Sequence, residues 1–398
     1  MTGLAGANLL RLMLARACAW ALLVAGWVGI GSFALQFAPS VRYGFALVAL
    51  WLLALGTAAV VATRGGMRRG TRALALSAGA AITGAGLWWS VHGGDLGAVL
   101  LALAGWAGLT ALASGVVRSL RLAQSAAPAP PVAAASLGAL CAGLALGDPG
   151  DLPALATRLT LLVVAAGALL VLLQRRIDEG SRAPGCRAGL FDCSLPAWPA
   201  GAWRDPGQWP TLLAGLAMLP MMAALPLMAA WCSNQGVAAQ TMVLLHLGAM
   251  FGPPLVLRLW VAHWSQRTLS VVCTLLLAAG AAFAAWASAP LNLLGPAVAQ
   301  GAAWGLAWSG QLWAPARRGQ KGASPVRAAA GYALLTLVFG LVVEHFGVRG
   351  VAGMHITLGL GAVLAWLAVL VAVAGSRELA DRPNPPAGGP PAPRRGGQ

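Results

Sequence analysis

Apolar residues run in long blocks along this chain, and charged residues fall almost entirely between the blocks. Blocks bounded by charge, Pro or Gly predict twelve helical spans, at roughly 14–37, 43–63, 72–92, 95–117, 132–147, 152–173, 211–231, 239–261, 268–287, 290–314, 327–346 and 350–375. All but the fifth, which is short, approach the ~20 residues a helix needs to cross the hydrocarbon core of a bilayer. The first block, preceded by Arg11 and Arg16, runs to Phe37. That is too long for the apolar region of a signal peptide, so it reads as a span.

The basic residues test the count, because cytoplasmic loops carry the excess of Lys and Arg. With the N-terminus inside, 23 of the 26 basic residues fall on the cytoplasmic side, and Arg42, Arg158 and Arg349 are the exceptions. One span more or fewer would scramble that division. The expected fold class is therefore an all-α membrane protein of twelve transmembrane helices in two six-helix bundles, with both termini cytoplasmic. Residues 1–173 form the N-terminal bundle, 174–209 a central cytoplasmic loop and 210–375 the C-terminal bundle. Residues 376–398 form a disordered Pro/Gly-rich tail. Segment 123–131 reads as a Pro/Ala linker.

Composition agrees: 59% of the 398 residues are hydrophobic and 9% are charged, which is a polytopic membrane composition. The net charge of +16 is then a topology signal and calls for no nucleic-acid partner; the bilayer is the partner it implies. The six Cys show no zinc-finger or disulfide spacing. No nucleotide-binding loop and no nucleophile–base set stands out, so an enzyme is not expected. Cys186 and Cys193 in the central loop could bind metal but fit an inert loop better, and Trp198, Trp203 and Trp209 fit interfacial anchors.

The chemistry concentrates in the seventh and eighth spans. Met218 and Met222 share a helical face by their spacing of four, as do Met242, His246 and Met250. Equal residue-number sums across an antiparallel hairpin place Met222 level with His246, and Met218 level with Met250. Methionine also fills gaps in apolar cores. An ionisable residue inside a span, however, is expensive and is a functional candidate by default. Three thioethers and one imidazole suit Cu(I) and suit hard ions poorly. Cys232 and Met242 are candidates for an outer relay, and His355 with Met354 could add an outer ligand. Pro220, Pro226, Pro253 and Pro254 mark bends near the box.

Six plus six spans with a long basic central loop resemble the major facilitator superfamily. Its loop motif is only partly visible in Arg64–Arg72, which lacks the usual acidic residue. The MxxxM of span seven and HxxxM of span eight resemble the CcoA-like copper importers of that superfamily. The resemblance implies metal ligation by Met218, Met222, His246 and Met250, and copper as transported substrate with no resident cofactor. It also implies a bacterial inner-membrane location, a supply of copper for haem-copper oxidase assembly through membrane or cytoplasmic copper-handling proteins, and two bundles rocking about a central site. The residues alone leave open a transporter of a small apolar organic solute and a non-transporting membrane assembly factor. Buried carboxylates for a proton relay are lacking. Glu344, Asp95, Asp148 and Asp151 read as solvated outer charges or as a cation-attracting mouth.

Overall fold

The structure is a computed structural model that describes residues 2–37, 40–64, 69–122, 129–148, 150–174, 206–257, 264–313 and 325–380. Among these are twelve α-helices: α1 (Thr2–Phe37), α2 (Val41–Arg64), α3 (Arg69–Gly93), α4 (Leu96–Leu122), α5 (Ala129–Leu146), α6 (Leu152–Gln174), α7 (Trp209–Ser233), α8 (Ala239–Val256), α9 (Gln266–Trp286), α10 (Leu291–Trp313), α11 (Pro325–Phe346) and α12 (Val348–Ala380). There is no strand among the described residues. The protein is all-helical and multi-pass. Nine of the helices are individually long and apolar enough to cross a membrane, and α7 qualifies as a bent pair. The apolar part of α5 is shorter, at Ala133–Leu146.

Some boundaries differ from the expectation. Helix α12 runs five residues past 375, so the tail assigned to 376–398 begins as helix. Helix α5 starts at Ala129, inside the segment read as linker; Pro130 and Pro131 fit its first turn, where the missing N–H is no loss. Most of the central loop, with Cys186, Cys193, Trp198 and Trp203, lies outside the described residues, as does the tail from 381.

The helix contacts repeat with a period of six. Helix α3 packs on α4 and α6, as α9 packs on α10 and α12; α1 packs on α4, α5 and α6, as α7 packs on α10, α11 and α12; α2 packs on α4, as α8 packs on α10. The two repeats then meet through α2 against α11, α5 against α8, and α1 against α7. Backbones approach closely where glycine allows it, the usual device where lipid is as apolar as the side chains. A methyl added at Gly138 of α5 would strike the backbone of Ala17 in α1. Large apolar side chains such as Leu74, Leu161, Leu334 and Leu364 face outward, as lipid contact requires, while polar groups such as His246, Gln300 and His355 are buried.

Two of the three basic residues that break the charge division have partners at the end assigned outside. The Arg42 side chain pairs with Glu344 at 3.4 Å, joining α2 to α11, and the Arg42 N–H donates to the same carboxylate. Arg158 donates to the Leu146 carbonyl at 3.1 Å, satisfying the end of α5. Glu344 is thus a partly exposed tie between the two repeats. Asp95, Asp148 and Asp151 accept from the backbone N–H of Gly97, Gly150 and Ala154, so they are turn and cap groups.

Candidate functional site

Two tight turns set the helices that carry the site. Gly236, at φ 79°, lets the chain reverse between α7 and α8, and Gly347, at φ 55°, does so between α11 and α12. Both conformations are costly for a residue with a Cβ.

Helix α8 lies hard against α10. The small residues Ala297, Gly301 and Gly305 recur every fourth position on α10. A methyl at Gly301 would stand 3.0 Å from the His246 carbonyl oxygen and 3.2 Å from Cγ of Met250. One at Gly305 would collide with the Met250 carbonyl. This stripe is what the sequence reading missed. A GxxxG pair in an apolar helix signals close helix packing, and Gly301-Ala-Ala-Trp-Gly305 is such a pair.

Close packing brings His246 to a backbone carbonyl. Its Nδ1 lies 2.8 Å from the Ala297 oxygen. A carbonyl only accepts, so Nδ1 carries the proton and donates. In the neutral ring the lone pair then sits on Nε2, which has no hydrogen-bond partner, and the residue is completely buried. Ligating histidines are commonly oriented this way, one nitrogen tied to a carbonyl and the other free for the ion.

Met218, Met222, Met242, Met250 and Cys232 are all buried in the main core cluster. Cys232 is a free thiol with no exposure, so in this conformation it presents nothing to the outer solution. Among the described residues no group of three His, Cys, Asp or Glu is placed to hold a metal ion; an ion here must use thioethers.

The depth assignment changes with the observed helix ends. Met222 lies eleven residues before the end of α7, and Met250 eleven residues after the start of α8. At 1.5 Å per residue both are about 16 Å along their helices. His246, seven residues into α8, is about 10 Å along. Met222 is therefore level with Met250 and one turn deeper than His246; counted from residue 231 it would stand midway between the two, and the two further residues of α7 complete the shift. Ala297, six residues into α10, falls at the His246 level on the same count, and the hydrogen bond between them agrees. Helix α7 also bends by 62° between Met218 and Met221, so Met218 and Met222 sit on separate half-helices and the spacing of four no longer gives one straight face. Pro220, which has no N–H for the helix ladder, lies within this stretch.

Below the methionines lies an aromatic box that joins the two repeats. Trp20 of α1 packs against Phe251 of α8 at 5.5 Å and against Trp308 of α10 at 5.0 Å. Trp304 and Trp308 stack at 5.4 Å. At the opposite end, Phe45 of α2 meets Phe339 of α11 edge-on at 5.7 Å, beside the Arg42–Glu344 pair. Both aromatic contacts span the boundary between repeats.

Gln300, one turn below Ala297 on α10, is 1% exposed with both amide atoms unpartnered. A polar residue left unpaired in a core is a signal in itself, and only burial reveals it.

No family model matches the chain, and no curated protein does. Solved structures do. The nucleoside transporter NupG is 14% identical, with a TM-score of 0.56 over 92% of this chain and 98% of its own. The proton:xylose symporter XylE, bound to 6-bromo-6-deoxy-D-glucose, is also 14% identical, with a TM-score of 0.61 over 91% of this chain and 95% of its own. The chain has the major facilitator fold. The six-helix period and the α2–α11 and α5–α8 seams are how this chain builds that fold. Identity this low speaks to the fold and leaves the solute to the site.

Proposed function

We propose that the protein imports copper across a bacterial inner membrane by alternating access, with Met222, His246 and Met250 as principal ligands and Met218 supporting. The observation that carries this is His246, buried, oriented by Ala297 and with Nε2 unpartnered, in a core that also holds the thioethers. Neutral thioethers and imidazole suit Cu(I) and let it leave, as a permeating ion must. Copper would pass to copper-handling proteins that serve haem-copper oxidase assembly. Twelve spans with both termini inside complete the proposal. Copper accumulation in cells lacking the protein, with and without the gene restored, tests it: restoration should raise cellular copper. Unchanged copper together with defective oxidase assembly would point to an assembly factor.

NupG and XylE are named as carriers of organic solutes, which favours organic solute transport as the second reading. Selectivity separates the two. Ag(I) should compete with copper uptake, and Mg, Ca and Mn should not; Mn uptake equal to copper uptake would remove the thioether basis.

Topology has its own test. Reporter fusions within 174–209 and 315–326 should read cytoplasmic, and one after Asp148 should read periplasmic. A periplasmic signal from the central loop would sink the twelve-span arrangement.

A further inference from the structure

We propose that His355 of α12 is a second imidazole ligand of the same site, paired with His246 above the Met222/Met250 level. This rests on the copper reading. His355 is 3% exposed and its Nε2 has no hydrogen-bond partner. It lies on the inward stripe of α12, with Val351, Gly359 and Ala362, all buried. A small residue holds that stripe close to its neighbour: a methyl at Gly359 would press on the Leu277 carbonyl oxygen of α9 at 2.8 Å.

Depth agrees independently. His355 is seven residues into α12, as His246 is seven residues into α8, and both helices start from the same end of the bundle. Both imidazoles are therefore about 10 Å along. Helices α7 and α10 each touch both α8 and α12.

Core packing alone explains this badly. A buried polar atom without a partner is destabilising, and here two such atoms stand at one level. One ion bound between them satisfies both, and neutral imidazole adds affinity without the fixed charge of a thiolate. The arrangement also suits rocking. Helices α7, α8 and α12 all belong to the second repeat, so the ligand set stays whole while the first repeat moves and uncovers it from either side.

The test uses the full-length protein purified in detergent and loaded anaerobically with Cu(I). Affinity is read by competition with a chromophoric chelator, and ligands by X-ray absorption at the copper edge. The wild type should show two imidazoles per copper. His355→Leu should show one, with affinity lower by roughly 10-fold or more, the scale on which shells around a metal act. His355→Gln keeps size and polarity and should show the same loss, which covers the case in which the leucine variant does not give a single folded species. A wild-type spectrum with one imidazole, or either variant binding as tightly as wild type, overturns the role of His355. If such a wild type still raises cellular copper, the import proposal stands without it. Two imidazoles in a protein that gives no uptake would support the paired site and overturn import. A wild type that binds no Cu(I) overturns both.

Discussion

Copper uptake in His246→Leu should fall to the level of cells lacking the gene, while immunoblots show normal protein in the membrane. Leucine is apolar and of similar size, and the Ala297 carbonyl that loses the Nδ1 donor keeps its place in the α10 ladder. The lost hydrogen bond is worth about 0.5–1.5 kcal/mol net, so insertion should survive. Met222→Leu should be as severe. The observed helix ends make Met250→Leu equally severe, since Met250 stands level with Met222, whereas equal depth of Met222 and His246 would have left it a secondary ligand. Met218→Leu, beyond the bend of α7, should only slow uptake. Loss of a second ligand after the first should add little, so the Met222→Leu/His246→Leu pair should be strongly non-additive. Normal accumulation in His246→Leu would end the case for the site.

Gly305→Val should damage the site without touching a ligand. The new side chain would drive into the Met250 carbonyl, with the Met250 carbonyl carbon only 3.0 Å from the added Cβ. Helix α8 must then move off α10, carrying Met250 and His246 with it. Overpacking of this kind costs about 1–3 kcal/mol, more where backbone rather than a flexible side chain must yield. The variant should melt earlier in detergent and lose Cu(I) affinity by roughly tenfold or more, since each 1.4 kcal/mol is a factor of ten. Gly331→Ala is the control: nothing lies within 4 Å of its added methyl, and it should behave as wild type. Equal melting and equal affinity in Gly305→Val would show that α8 is not seated by the small-residue stripe.

Much of the architecture was legible before any coordinates. Long apolar blocks predict the helices, and all twelve blocks correspond to a described helix. The charge division predicts their alternation, and two of its three exceptions prove to be local partners, Arg42 for Glu344 and Arg158 for the Leu146 carbonyl. The residues of the candidate site were legible too, because a histidine and paired methionines in apolar helices are conspicuous by chemistry alone.

What the sequence could not determine is which faces meet. Hydropathy decides what enters a bilayer, where lipid tails are as apolar as leucine; it therefore does not say which side of an apolar helix finds a neighbour. That choice falls to small residues and to polar groups seeking partners, and both act between segments far apart in the chain. So α8 rests on Gly301 and Gly305, fifty residues on. The depth of each ligand turned on where helices end: α7 runs two residues past 231, which puts Met222 eleven residues from its end, level with Met250 and not with His246. Helices α7 and α10 each touch both α8 and α12, a link between His246 and His355, more than a hundred residues apart, that no local pattern carries.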